Sequence, residues 1–153
     1  LEFMRRNLEK PITDKDIAAS VFYSMVHLRR AFRTAIGEGP RLCLLKMRLE
    51  SLENYEVLVL SEAKDLINHI RVFKPEVILL DLLMPGVGGL DVCDMLNNDP
   101  VGSTVQIIIV SGLDKNVDRI KAFKFGIADY LVKPVDDKKL IEAIEKAIGH
   151  KAM

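Results

Sequence analysis

The chain reads as an α/β protein with a doubly wound parallel sheet, helices covering both faces. Three observations predict this class. Two apolar runs, residues 77–80 and 105–110 (the latter interrupted only by Gln106), do not alternate, the pattern of strands buried on both faces. Strand-like and helix-like segments alternate from residue 55 to 148, which predicts right-handed crossovers and parallel pairing. Polar residues able to do chemistry (Asp81, Ser111 and Lys133) stand where apolar runs end, the place where open α/β sheets bind ligands.

The elements follow in order. Residues 13–36 read as one helix, capped by Thr13 or Asp14, with Asp16 complementing the helix dipole in the first turn. Ile17, Val21, Met25, Leu28 and Phe32 recur at three- and four-residue spacing; Ala18, Phe22 and Ala35 widen the stripe, and Arg29, Arg30 and Arg33 fall on its polar side. Packing on the protein's own core is the first reading of that stripe, a homodimer interface the second. A membrane-surface helix is the third, because the basic residues gather only near the helix end.

Gly37-Glu38-Gly39-Pro40 breaks the pattern, and Pro40 suits the start of a second helix, marked by Leu42, Leu45, Leu49 and Leu52 and ending near Asn54. A strand at 55–60, a helix at 63–73 and the strand before Asp81 come next. A helix at 89–97, a strand at 105–110 and a helix at 114–125, with Gly126 as its C-terminal cap, continue the alternation. A strand at 128–132 and a helix at 136–148 close the chain. Residues 1–40 are read as an N-terminal extension, and 41–149 as the main domain. Leu1-Glu2-Phe3 ahead of Met4 looks like a cloning remnant.

Composition narrows the function. At 153 residues and 49% hydrophobic, the chain fits one cored domain plus an extension. Lys+Arg and Asp+Glu both number 22, so there is no overall positive charge to bind nucleic acid by charge alone. Cys43 and Cys93 share no metal-ligand spacing with each other or with His27, His69 and His150; reduced cysteines in a cytoplasmic protein are expected. No apolar run approaches the ~20 residues that span a bilayer, and no secretory signal is visible.

Parallel strands bring their carboxyl ends to one edge, so Asp81, Ser111 and Lys133 are expected to converge. Together they suit a phosphoryl group: a carboxylate nucleophile that takes it as an acyl phosphate, an ammonium point charge and a small hydroxyl donor. Singly, each has a plainer reading. Ser111 also suits a cap for the 114–125 helix, Tyr130 a core aromatic, Lys133 a surface lysine, and Asp91 and Asp94 solvated charges.

Asp81-Leu82-Leu83-Met84-Pro85-Gly86, followed by Gly89-Leu90-Asp91-Val92, resembles the phosphoacceptor region of a response-regulator receiver domain. Ile108-Ile109-Val110-Ser111-Gly112 resembles that family's fourth strand, and Gly126-Ile127-Ala128-Asp129-Tyr130-Leu131-Val132-Lys133-Pro134 its fifth. The resemblance spans about residues 41–149. It implies a flavodoxin/CheY-like fold and a two-component signalling role. Asp81 would accept phosphate from a histidine kinase or phosphotransfer protein, Ser111 and Tyr130 would act as switch residues, and Lys133 would contact the phosphate. It also implies a cis bond before Pro134, a Mg²⁺ cofactor, a downstream effector protein, and no enzyme activity beyond weak self-catalysed phosphotransfer.

The resemblance breaks at the first strand. Family members place two adjacent acids there for Mg²⁺, and counting back from the second helix puts that pair at Gly37-Glu38, with Glu38 alone acidic. Residues 31–36 make a poor buried strand, with Arg33 and Thr34 in mid-sheet. Asp81, the Leu83 backbone carbonyl and Glu38 are the ligands left, so metal binding is expected to be weakened or lost. The alternative function is therefore a pseudo-receiver, switched by binding or dimerisation through the N-terminal stripe without phosphate. A hydrolase using an aspartyl phosphate would need an acid where Leu83 stands. Dinucleotide binding would need a G-x-G-x-x-G that Gly86, Gly88 and Gly89 do not make.

Overall fold

The helices that start at Asp14 and Met25 form where Thr13 and Ser24 supply side-chain caps. The computed structural model describes the chain except for Glu53, Ser61, Met84, Pro85 and Met153 and the side chains of residues 150–152. The Met84-Pro85 step of the segment after Asp81 and the His150 side chain therefore lie outside the described residues. Two units divide the chain, residues 1–61 and 62–153.

The first unit is helical: α1 (Glu2–Arg5), α2 (Asp14–Ser20), α3 (Met25–Ile36) and α4 (Pro40–Ser51). Thr13 and Asp16 close a reciprocal capping box on α2, which holds the Asp16 carboxyl below its ordinary value. The helix expected over 13–36 is two helices. Phe22 turns into the left-handed region (φ 56°), and Ser24 starts α3 afresh by accepting the His27 N–H. Ile17, Leu28 and Phe32 pack with Met4, Ala18, Cys43 and Leu44 in this unit's own core, while Val21 faces solvent. Gly37, at φ 85°, ends α3, and Pro40 opens α4. Residues 31–36 are thus helical, with the exposed Arg33 facing water and not a sheet. The strand expected at 55–60 takes no regular secondary structure. Alternating half-buried and exposed side chains there lack the ladder that makes a strand.

The second unit holds α5 (Leu66–Phe73), β1 (Val77–Leu80), α6 (Gly89–Asn97), a 3-10 turn (Gly102–Thr104), β2 (Gln106–Ser111), α7 (Asn116–Lys124), β3 (Asp129–Val132) and α8 (Asp137–Ala152). Its sheet is parallel in the order β1-β2-β3, with Leu80 opposite Ile109 and Ser111 opposite Val132. Side chains alternate across it. Ile78, Leu80, Ile107, Ile109, Tyr130 and Val132 join Ile70 of α5, Val92, Cys93 and Leu96 of α6, and Ala122 of α7 in one core. The long helix α8 crosses all three strands and buries Leu140, Ala143, Ile144 and Ala147. Helices on both faces of a parallel sheet bear out the expected fold class. Helix boundaries shift modestly: α4 ends at Ser51 and not near Asn54, α5 begins at Leu66, α7 at Asn116, and α8 runs on to Ala152.

Candidate functional site

The sheet register decides which residues meet. Asp81 follows the last residue of β1, Ser111 is the last of β2, and Lys133 follows the last of β3. Because the strands are parallel and adjacent, all three lie at the carboxyl edge. Lys133 Nζ donates to Asp81 Oδ2 at 2.5 Å, and the Leu83 N–H donates to Asp81 Oδ1 at 2.9 Å. The Lys133 N–H donates to the Ser111 carbonyl at 2.8 Å, which fixes the lysine's root against β2.

Ser111 is fully buried, and its Oγ accepts the Leu113 N–H at 3.3 Å. It does not cap α7, whose first turn begins after Lys115. Tyr130 is buried beside it and donates its hydroxyl to the Leu113 carbonyl at 2.8 Å. Burial pushes the Tyr130 phenol above its ordinary value, and a hydrogen bond from Ser111 opposes that shift. Ser111, Leu113 and Tyr130 therefore form one polar knot under the site. Asp91 and Asp94 are exposed on α6, as solvated charges are. The Lys133-Pro134 bond is cis.

Leu113 and Arg119 were not legible as site residues. Leu113 contributes through its backbone, and the Arg119 guanidinium lies 5.5 Å from the centre of the Tyr130 ring. Nothing in the spacing of Arg119 from Tyr130 signals that contact. Gly89 has a clearer reason: a Cβ there would lie 2.5 Å from Leu82 Cα and 2.9 Å from the Asp81 carbonyl oxygen, so only glycine lets α6 start against the Asp81 loop.

A Mg²⁺ ion needs an octahedral oxygen shell anchored on carboxylates. Among the described residues no group of three His, Cys, Asp or Glu side chains could hold a metal ion. Both Asp81 oxygens already accept protein donors. Glu38 lies in the turn between α3 and α4; burial, and after it the Glu38 charge and hydrogen bond, raise the Cys43 thiol above its ordinary value. The Asp81 carboxylate and the Leu83 carbonyl are the oxygen ligands this strand tip would offer a Mg²⁺ ion, whose remaining shell would be water and phosphate.

Comparison with known proteins agrees with the fold. A family model described as "Response regulator receiver domain" matches residues 40–145. The chain is 34% identical over 101 residues to the response regulator PleD of Caulobacter vibrioides, covering 66% of this chain and 22% of PleD. It is 33% identical over 95 residues to protein PilH of Pseudomonas aeruginosa, covering 62% of this chain and 78% of PilH. Among solved structures, the signal receiver domain of a modulated diguanylate cyclase from Desulfovibrio desulfuricans superposes with a TM-score of 0.62 at 27% identity, over 74% of this chain and 90% of that one. A CheY-like receiver domain protein from Methanospirillum hungatei gives 0.65 at 22% identity, over 72% and 86%.

Proposed function

The chain belongs to the response regulator receiver domain family, and from that premise we propose that Asp81 accepts a phosphoryl group from a phosphohistidine on a histidine kinase or phosphotransfer protein. One observation carries the reading: an ammonium from one strand tip lies 2.5 Å from a carboxylate oxygen on another. A carboxylate oxygen of Asp81 attacks phosphorus, the P–O bond forms as the P–N bond breaks, and the imidazole leaves and takes a proton from solvent. Lys133 balances the charge that gathers on the phosphoryl oxygens. No step is assigned to Mg²⁺; where the ion binds, Asp81 and the Leu83 carbonyl are the ligands in hand.

The acyl phosphate adds a charge of about −1.5 to −2. Ser111 turns its hydroxyl toward that charge, which loosens its contacts with Leu113 and Tyr130. Those contacts border the loop leading into α7, whose outer face exposes Val117, Ile120 and Phe123. That apolar row is the surface offered to a downstream effector protein. The free, buried Cys43 and Cys93 suit a reducing, cytoplasmic setting.

Incubation with a small phosphodonor such as acetyl phosphate or phosphoramidate, with and without Mg²⁺, tests the reading by intact mass. One added phosphoryl group on the native chain, absent from Asp81→Asn, supports it. Equal labelling of both chains, or none, refutes it.

The lack of an acid cluster among the described residues favours a second reading, a receiver-fold interaction module that works without phosphate. It predicts a dimer held through the N-terminal unit and binding to partners that Asp81→Asn leaves unchanged.

A further inference from the structure

The N-terminal unit presents a surface that phosphoryl chemistry does not use. Where α2 gives way to α3, Val21, Phe22 and Tyr23 are exposed together, with Phe22 97% accessible. The left-handed backbone of Phe22 is uncommon for a bulky side chain and marks a position held against a local preference. Val26, on the first turn of α3, is 75% accessible, and Tyr23 lies beside His27 with ring centres 6.4 Å apart.

The rest of α3 continues the patch. Leu28 and Phe32 mark its buried side. At about 100° per residue, Val26, Arg29, Arg30 and Arg33 fall in a sector away from that side, and all four are exposed. Residues 21–36 contain no Asp or Glu. Asp14 reaches Arg29 at 3.8 Å, while Arg30 and Arg33 form no ion pair with the described residues. An aromatic tip thus leads a helix face whose charges are all basic.

We propose that this surface docks on an anionic lipid bilayer, with the Phe22 ring in the boundary between headgroups and acyl chains and Arg30 and Arg33 on the lipid phosphates. The charge pattern selects this occupant. An isologous contact between two copies would set the same arginines against each other, since the patch must meet itself. A bilayer with acidic headgroups offers negative charge outside and apolar volume beneath, the order in which α3 and the aromatic tip would meet it. Arginine stems can lie along the headgroup region with their guanidinium groups in the wet layer. This is attachment to a surface: no described helix is long and apolar enough to cross a membrane.

Flotation of the full chain with vesicles tests the proposal. Binding to phosphatidylcholine vesicles containing phosphatidylserine, absent with phosphatidylcholine alone and weakened by salt, is the expected result. Arg30→Gln with Arg33→Gln is expected to lower binding roughly 30-fold, from about 1 kcal/mol for each cation near the surface. Phe22→Gly removes the ring while accommodating the left-handed backbone, and is expected to cost roughly 10-fold or more. Because Phe22→Gly relieves strain, it decides the matter if the arginine pair proves poorly folded. No binding to the anionic vesicles overturns the proposal. So does equal binding to neutral ones, binding unchanged by Phe22→Gly, or a dimer in sedimentation that Phe22→Gly dissociates with no vesicle binding.

Discussion

The Tyr130 hydroxyl donates to the Leu113 carbonyl at 2.8 Å, tying β3 to the loop that leaves β2. Seventeen residues separate the pair along the chain. Buried Tyr130 →Phe is expected to destabilise the protein by about 1 kcal/mol, the net worth of one such bond. It is also expected to speed amide exchange at residues 112–115 with little change in the strands. Urea unfolding and hydrogen exchange measure the two effects.

The Asp81–Lys133 pair contributes little to stability, and on the proposed function its work is chemical. Its side chains are 32% and 43% accessible, and an ion pair this open contributes about 0–1 kcal/mol after screening. Lys133→Ala should therefore shift the urea midpoint only slightly. Losing one preorganised donor at a developing charge costs about 100-fold in rate. Labelling by a small phosphodonor, followed over time, should slow on that scale.

Gly89→Ala drives a methyl group into Leu82 and the Asp81 carbonyl. Overpacking against backbone costs about 1–3 kcal/mol. The substitution is expected to lower stability by that amount and to impair labelling of Asp81, because the loop that must move carries the acceptor. A normal melting temperature with normal labelling would show that the loop yields freely.

Groups with shifted values give the stability profile an edge at each end in pH: the Cys93 thiol, pushed up by burial to about 11, joins Cys43 and Tyr130 at the alkaline end, and Asp16 joins Asp99 at the acid end. The buried Tyr130 phenol lies above its ordinary value of 10.0. Unfolded chains lose that proton first, so its contribution is whole below about pH 10 and fades as pH rises through the folded value. Asp99 accepts the Gly102 and Val101 N–H groups and pairs with Arg71, and these hold its carboxyl below its ordinary 3.8. That contribution is present above the unfolded value and fades as pH falls through the folded one. Melting temperature against pH should drop at both ends, with Asp99→Asn removing part of the acid drop and Tyr130→Phe the part of the alkaline drop that lies above about pH 10.

The sheet and the helix after Asp81 were readable because their signals are local. An unbroken apolar run marks Val77–Leu80, and apolar spacing after paired glycines marks Gly89–Asn97. Convergence of Asp81 and Lys133 followed from parallel strands alone. The break at Phe22 was hidden because residues 13–36 contain neither Gly nor Pro and the apolar spacing runs through it unbroken. Residues 55–60 have strand propensity, but propensity yields to whatever pairing the fold provides. The Tyr130–Leu113 bond was out of reach, since a backbone carbonyl carries no sequence signature.

Mapping the modified residue tests the central claim most directly. After incubation with a phosphodonor, borohydride reduces an aspartyl phosphate to homoserine, which peptide sequencing by mass spectrometry locates. Homoserine at position 81 alone is the expected result. Its absence throughout the chain, or its appearance at Asp91 or Asp94 in place of Asp81, would contradict the account.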